Sequence, residues 1–288
     1  MNEVQKGNLA GLIAIVLWST LALFTVLTKN IPPFELLFMV FFLAYSVALI
    51  YRRIKTKRFS LAYRPPLKVW ILGIYGLFGY HLCYFLALKN APALEANLIN
   101  YLWPLLIVLF SAFLPHEKLK WFHVVGVACG FLGVLVLLNV HEAHFTWEYA
   151  KGYFFAFLCA FIWSSYSVLS RYFGNVPTSV IGDFCGVTAF LSLIAHGLFE
   201  SHYIPTFNEF LAVIGLGLGP IGLAFFVWDY AMKKGDIKLI GTFAYMTPLL
   251  STLLLVLFHQ AQPHATIWIA CGLIMLGSFI SSLASKRS

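Results

Sequence analysis

Charged residues are scarce in this sequence: Asp, Glu, Lys and Arg together make up 10% of its 288 residues, whereas 61% are hydrophobic. A soluble domain carries about 25% charged and roughly 45–50% apolar residues. One soluble core of this length cannot bury so much apolar surface, and the shortage of charge excludes a disordered chain. The net charge of +8 is spread over short loops rather than one basic face, which argues against a nucleic-acid partner. The composition predicts a polytopic membrane protein.

Paired cysteines and catalytic motifs are also missing. The five cysteines all fall inside apolar stretches without a CxxC pair, so we interpret them as small packing residues and expect no disulfide framework. No segment matches HExxH, GxSxG, a P-loop, or GxGxxG after a strand, as a hydrolase or an ATP-driven pump would require. His141 and His144 have a loose HxxH spacing, but without a second fixed pair we expect no metal site. We therefore expect neither an enzyme nor a cofactor.

The most prominent feature of the sequence is its long apolar runs. A transmembrane helix needs about 20 mostly apolar residues. Ten stretches fit that length, at approximately 8–28, 34–51, 67–88, 92–114, 119–139, 152–173, 178–199, 208–231, 237–258 and 265–284. Because the loops between them are short, the chain is predicted to be an all-α membrane protein with ten transmembrane helices.

The positive charges predict the orientation in the membrane. Lys and Arg collect in short cytoplasmic loops. With the N-terminus inside, 16 of the 19 Lys and Arg residues fall on the cytoplasmic side, and only Lys29, Lys89 and Lys151 fall outside. Both termini are therefore predicted to be cytoplasmic. The first apolar stretch, from Asn8 to Leu27, has no small-residue cleavage pattern after it and is predicted to be a retained helix.

The chain aligns with itself at an offset of 145 residues near the N-terminus and 144 further on. The offset matches Gly7 with Gly152, Trp18 with Trp163, Tyr101 with Tyr245, and Pro104 with Pro248. Two five-helix repeats are therefore predicted, residues 1–144 and 145–288. Because five is odd, the second repeat must enter the membrane upside down. Inverted repeats are a transporter architecture with the substrate site near the midplane between the halves, although duplicated halves also form bundles that transport nothing.

A polar stripe in each repeat indicates a helix that faces the interior. In the fourth predicted helix the stripe is Asn97, Asn100, Tyr101 and Pro104, and in the ninth it is Gly241, Tyr245, Pro248 and Thr252. Polar groups inside hydrocarbon need protein or water partners, so both stripes are expected to face the bundle interior. Pro104 and Pro248 lie near mid-span, where they are predicted to kink their helices and to act as gating positions.

Aromatic side chains with polar tips reach a similar depth. Trp18 and Trp163 each lie 11 residues past a Gly at the start of their helix. At about 1.5 Å per residue this puts them roughly 16 Å into a ~30 Å hydrocarbon layer. The third helix contributes Tyr80, His81 and Tyr84. Together with Asn97 these rings predict a central cavity, although simple core packing explains any single ring equally well.

Such a lining favours a zwitterionic substrate with a variable side chain. Aromatic faces hold apolar or aromatic groups and attract an ammonium with about 0.5–2 kcal/mol. Tyr hydroxyls, Trp N–H groups, Asn97 and His81 can donate to a carboxylate. We expect no buried Arg or Lys for a permanent anion and no acidic cluster for a cation. His81 is either a proton-coupling group or a neutral ring hydrogen-bonded in a polar pocket.

Four segments then carry a resemblance over essentially the whole chain: GLIAIVLWST (11–20), GYHLCYFLAL (79–88), NYLWPLLIVLFS (100–111) and FIWSSYS (161–167). With two five-helix halves and the matching Pro104 and Pro248, the chain resembles the ten-helix EamA-type members of the drug/metabolite transporter superfamily. Within them it is similar to the YddG group of bacterial exporters of aromatic and other amino acids. NYLWP is the most distinctive of these motifs.

The resemblance implies export of amino acids by alternating access across the bacterial inner membrane. It also implies that the substrate contacts Tyr80, His81, Tyr84, Tyr101, Trp103, Trp163 and Trp18. Trp103 comes from the resemblance alone, because the helical stripe does not select it. A monomer is expected, since ten helices of this kind can function alone. Two alternatives stay open: an exporter of another small metabolite or a hydrophobic cation, and a membrane protein that binds and signals without transport.

Overall fold

A computed structural model describes residues 1–57, 63–115, 117–260, 262 and 265–286, with side chains to residue 283 in the last helix. Arg58 and Arg287, two of the cations counted for the orientation, lie outside the described residues. The described ranges contain helices and no β-strand. The α-helices are α1 (Glu3–Ser19), α2 (Leu21–Leu27), α3 (Pro33–Thr56), α4 (Leu67–Ile74), α5 (Tyr80–Asn90), α6 (Ala93–Asn100), α7 (Trp103–Phe110), α8 (Trp121–Leu137), α9 (Ala150–Tyr172), α10 (Ile181–Phe199), α11 (Phe207–Leu218), α12 (Ala224–Lys234), α13 (Ile237–Phe243), α14 (Met246–Leu257) and α15 (Ala265–Lys286).

The helices combine into membrane-length spans. In the described ranges, nine spans are long and apolar enough to cross a bilayer: Glu3–Leu27, Pro33–Thr56, Leu67–Asn90, Ala93–Phe113, Trp147–Tyr172, Thr178–Phe199, Phe207–Lys234, Ile237–Leu257 and Ala265–Leu283. Helix α8, with 17 residues, is a shorter apolar helix at the position of the fifth predicted span. A helix satisfies its own backbone hydrogen bonds, which hydrocarbon requires. The predicted ten-helix, all-α membrane fold is confirmed, with α8 as the tenth helix.

The outer surface of the bundle is apolar, as suits a protein solvated by lipid. On α9, Phe154, Phe157 and Phe161 are 61%, 46% and 41% exposed. Further along the same helix Ser164 and Ser167 are fully buried. Polar groups thus turn inward, where protein partners replace the water that lipid lacks.

Two spans in corresponding positions contain a π-helical segment. Tyr75–Gly79 separates α4 from α5, and Gly219–Leu223 separates α11 from α12. The two segments start 144 positions apart, which is the offset found in the sequence. Segments of this kind are rare and occur frequently at functional sites. Their matching positions support the proposal of two related halves.

The two spans that contain Pro104 and Pro248 are each broken into two helices. Helix α6 ends at Asn100 and α7 begins at Trp103, while α13 ends at Phe243 and α14 begins at Met246. Pro104 and Pro248 lie in the first turn of the second helix of each pair, where a backbone N–H has no partner within the helix anyway. Breaks therefore occur where the sequence predicts kinks. That they act as gates stays a prediction.

The core forms between the two halves of the chain. The most extensive helix contacts pair α8 with α15, α3 with α10, α1 with α12, and α5 with α9. Each pair takes one helix from residues 1–144 and one from 145–288. Glycine permits the close approach of α8 to α15, because a Cβ on Gly126 would lie 2.6 Å from the carbonyl oxygen of Gly277. Any site between the halves is thus held by helices from both of them.

Candidate functional site

Five large rings from both halves meet inside the bundle. This aromatic cluster consists of Trp18 on α1, Trp103 on α7, Trp163 on α9, and Phe225 and Trp228 on α12. The ring centroid of Trp18 lies 5.6 Å from that of Trp163 and 4.8 Å from that of Trp228. Trp18 also contacts the rings of Trp103 and Phe225, each at 6.2 Å. Tilted and edge-on pairs of this kind are the arrangements that aromatic quadrupoles favour.

Three rings of α5 extend the cluster toward the end of that helix. The ring of Tyr80 lies 5.7 Å from Trp163, and Tyr84 is stacked parallel to Tyr80 at 6.1 Å. His81 lies 5.2 Å from Tyr80 and 6.3 Å from Phe225. The π-helical segment ends at Gly79, directly before Tyr80, so it sets the direction in which α5 presents these side chains.

Polar groups of α6 fix the two tyrosines. The hydroxyl of Tyr84 donates to Oδ1 of Asn97 at 2.9 Å, and Nδ2 of Asn100 donates to the hydroxyl of Tyr80 at 3.1 Å. Oδ1 of Asn100 is buried and has no hydrogen-bond partner among the described residues. Because a buried acceptor without a partner is unfavourable by about 1–3 kcal/mol, this oxygen is a candidate for contact with a bound molecule.

Two further polar groups are oriented by backbone carbonyls. Nε1–H of Trp18 donates to the carbonyl of Pro220 at 2.9 Å, within the second π-helical segment. Nδ1 of His81 lies 2.7 Å from the carbonyl of Leu77, which can only accept, so Nδ1 carries a proton. A neutral His81 therefore offers Nε2 as an acceptor, rather than the donor that the sequence analysis assigns to it.

Exposure differs across the site. Trp103, Trp163 and Trp228 are only 6%, 4% and 1% exposed. A second set is partly exposed, namely Trp18, Tyr80, His81, Tyr84, Asn97 and Tyr101. The buried tryptophans, here called the tryptophan floor, thus lie next to side chains that keep part of their surface exposed. Partly exposed polar side chains beside buried rings suit a binding site at the aromatic cluster.

The structure brings most of the predicted site residues together. Seven of them join one network of ring contacts and hydrogen bonds: Trp18, Tyr80, His81, Tyr84, Asn97, Trp103 and Trp163. Tyr101 lies at the break between α6 and α7 and packs against a second core cluster that includes Tyr245. Among the described residues Tyr101 makes no ring contact with the aromatic cluster. Its contact with substrate, like that of the others, stays a prediction.

Sequence reasoning did not select Phe225 or Trp228, although both belong to the cluster. The internal repeat carries the signal that identifies them. At an offset of 144, His81 corresponds to Phe225 and Tyr84 to Trp228. The residues that α5 presents from one half thus have counterparts on α12 that the second half presents to the same place.

Ion pairs between the halves join helix ends on the far side of the tryptophan floor. Glu117 pairs with Arg171 at 2.6 Å and also with Lys238. Arg52 donates to Asp183 at 2.8 Å. The sequence analysis expects no buried Arg or Lys, yet Arg52 and Lys238 are only 9% and 8% exposed. Each is paired with a carboxylate, so neither supplies an unbalanced positive charge to the aromatic cluster.

A small pocket lies next to the floor. Its lining includes Tyr166 and Ser170 of α9 together with Asp229 and Lys233, which form an ion pair at 2.7 Å. The ring of Tyr166 lies 5.4 Å from that of Trp163. Trp163 therefore contacts both Tyr80 of the partly exposed set and Tyr166 of the pocket lining.

This chain is similar to known proteins over nearly its whole length. The model of the EamA-like transporter family matches residues 5–139 and 150–283. The aromatic amino acid exporter YddG of Ancylobacter novellus is 49% identical, with 98% of this chain and 99% of that protein covered. The protein of the same name from Salmonella typhimurium is 27% identical, with 98% and 99% covered. A crystal structure of a protein with 48% identity has a TM-score of 0.92 and covers 96% of this chain and 98% of its own.

Proposed function

This chain belongs to the EamA-like transporter family, and we propose that it exports aromatic and other neutral amino acids from the cytoplasm of a bacterium. The proposed membrane is the inner membrane, with both termini on the cytoplasmic side. Substrate would bind between the two halves at the aromatic cluster, and the halves would expose it alternately to either side.

One observation carries this proposal: partly exposed tyrosine, histidine and asparagine side chains lie next to buried tryptophans from both halves of the chain. Stacking and edge contacts of the cluster suit an aromatic side chain. Oδ1 of Asn100 and the neighbouring ring faces suit the ammonium group of an amino acid. Oδ1 of Asn97 already accepts from Tyr84, so the amide nitrogen of Asn97 is the group that would donate to the carboxylate.

The ion pairs support a state that is closed at the cytoplasmic end. Under the proposed orientation, Glu117, Arg171 and Lys238 lie at that end and join the two halves. The partly exposed Tyr84 and Asn97 then lie on the outer side of the floor. Export requires these ion pairs to separate when the site faces the cytoplasm, and the breaks before Pro104 and Pro248 are the proposed hinges.

Counterflow into proteoliposomes tests the substrate. Vesicles preloaded with unlabelled Phe are expected to accumulate labelled Phe and Trp through the purified protein, whereas labelled Lys is expected to exchange weakly because no acidic group of the cluster balances its second charge. The exchange of labelled Thr measures whether the site also accepts smaller neutral side chains. If none of the four exchanges while a different metabolite or a hydrophobic cation does, the family assignment stands and amino acid export is wrong.

A matched pair of variants localises the site. Trp163→Phe removes part of a ring that contacts Tyr80 and Trp18, and it is expected to reduce counterflow of Trp. Phe157→Leu changes a ring on the same helix that is 46% exposed at the outer surface, and it is expected to leave counterflow unchanged. Equal loss in both variants would show that the effect comes from the helix rather than from the site.

A further inference from the structure

A cluster of two histidines and two carboxylates lies apart from the aromatic site. Glu35 occupies the first turn of α3 and is 5% exposed. His196 lies in the last turn of α10, and Glu200 and His202 follow in the loop toward α11. The cluster therefore joins the two halves of the chain, at the end of the bundle opposite to the Glu117 ion pairs under the proposed orientation.

The possible ligand atoms are already close together. One ligand atom each from Glu35, His196 and His202 lies within 4.8 Å of the others. Nδ1 of His202 is 2.6 Å from Oε1 of Glu35, and Nε2 of His196 is 4.0 Å from Oε2 of the same carboxylate. Ligand atoms of a tetrahedral zinc ion with bonds of 2.0–2.1 Å stand about 3.4 Å apart. Small rotations of the three side chains would bring their ligand atoms from the observed spacing to that tetrahedral spacing.

A second layer of hydrogen bonds orients the two most buried members. Nδ1 of His196 lies 3.1 Å from Oε2 of Glu200. Glu200 is itself held by the backbone N–H groups of Phe34 at 2.9 Å and Glu35 at 3.0 Å. The N–H of Tyr203 donates to Oε2 of Glu35 at 2.9 Å. A carboxylate on the outer nitrogen of a ligating histidine is the usual support of a zinc ligand.

His196 lies between two carboxylates. Its Nδ1 is 3.1 Å from Oε2 of Glu200, and its Nε2 is 4.0 Å from Oε2 of Glu35. A cation bound between Nε2 of His196 and Glu35 would offset the negative charge of the two carboxylates. In the described part of the chain, every ion pair of Glu35 and Glu200 has a histidine as its partner, so no Lys or Arg supplies that cation.

We propose that Glu35, His196 and His202 bind one zinc ion, with Glu200 as the carboxylate that orients His196. Two imidazoles and one carboxylate form a ligand set that zinc uses, with a water molecule in the fourth position. Imidazole ligands select against Ca²⁺ and Mg²⁺, which prefer oxygen. His202 is 71% exposed, so it gives the ion a route from the aqueous side. The bound ion would link the outer ends of α3 and α10. The sequence predicts no metal site, since the spacing of His141 and His144 has no second fixed pair. Spacing along the chain does not reveal the proposed ligands, because Glu35 is far from His196 and His202 in sequence.

Isothermal titration of the purified full-length protein, stripped with EDTA, tests the site with ZnCl₂ as the probe. One saturable zinc ion per chain is expected, and MgCl₂ is expected to give no saturable binding. His202→Ala should weaken the zinc affinity at least tenfold, and Glu200→Gln by about 10–100-fold. His202 is exposed, so its replacement preserves the fold, which a size-exclusion profile verifies. The matched control is His141→Ala, an exposed histidine of another loop, which should bind zinc as the unmodified protein does.

Three results would overturn the site. Zinc that does not bind saturably excludes it. Equal zinc affinity in His202→Ala and the unmodified protein places the ion elsewhere. Equal binding of Mg²⁺ and Zn²⁺ indicates a nonselective acidic surface. None of these results depends on transport, so the zinc site and the proposed export function stand or fall separately.

Discussion

Replacing Asn100 by leucine separates substrate binding from stability, because substrate binding is expected to weaken while stability changes little. Asn100 is 6% exposed, and its Nδ2 donates to the Tyr80 hydroxyl at 3.1 Å. Its Oδ1 is buried without a partner among the described residues, which is unfavourable by about 1–3 kcal/mol. A substrate ammonium that donates to this oxygen removes that penalty on binding.

The magnitudes follow from these contacts. Asn100→Leu removes the unpaired oxygen, but it also removes the hydrogen bond from Nδ2 to the Tyr80 hydroxyl. These two effects are of similar size and opposite sign, so we expect the melting temperature to change little. The substrate loses a hydrogen bond to a charged group, about 1.5–3 kcal/mol, which corresponds to a roughly 10–100-fold higher Kd. Isothermal titration with Trp or Phe measures the Kd, and a thermal melt of the same preparation measures the stability.

Asn90→Leu is the matched control. Asn90 is a partly buried asparagine at the end of α5, and its side chain donates to the backbone carbonyl of Leu86 at 2.7 Å. This variant should bind substrate with unchanged Kd. The assignment of Asn100 to the ammonium is refuted if Asn100→Leu folds normally and binds Trp and Phe as tightly as the unmodified protein does.

Three other changes probe the packing. Trp163→Ala removes a ring that is 4% exposed and should lower the free energy of unfolding by about 3–5 kcal/mol. Denaturant melts measure this loss of stability, and Trp163→Phe should lose much less. Arg52→Met alone should lower the free energy of unfolding by about 3–5 kcal/mol, because it leaves Asp183 buried without its partner. The double variant with Asp183→Leu should lose less stability than Arg52→Met alone. Additive losses in this double-mutant cycle would argue against the ion pair. Gly126→Val should separate α8 from α15 and lower the melting temperature, and an unchanged melt would contradict the close approach to Gly277.

The internal repeat shows how far a sequence pattern reaches. The offset of 144 predicts which helices correspond, and the two π-helical segments fall at that spacing. The same offset leads from His81 and Tyr84 to Phe225 and Trp228, but only coordinates show that α5 and α12 bring these pairs into one cluster. A repeat establishes equivalence between positions, whereas contact depends on how the halves are packed.

Single helical stripes were less informative than the repeat. The stripe on the fourth predicted helix groups Asn97, Asn100 and Tyr101, but the helix breaks after Asn100, and Tyr101 packs against a different cluster from Tyr80. Trp103 is not part of the stripe, yet it contacts Trp18 and Trp228, because α7 begins as a separate helix after that break. A helical wheel assumes an uninterrupted helix, and this span is not one.

The sequence by itself determined that the protein is embedded in lipid and how many helices it has, because apolar length is a local property of each segment. The placement of charge predicts the orientation of the loops. The sequence also indicated most of the rings that the structure brings into the aromatic cluster. Only the tertiary structure decided which distant residues meet: Glu117 with Arg171, Arg52 with Asp183, and Glu35 with His196 and His202. Those pairings depend on the packing of one half against the other, and they arise from helices that lie far apart along the chain.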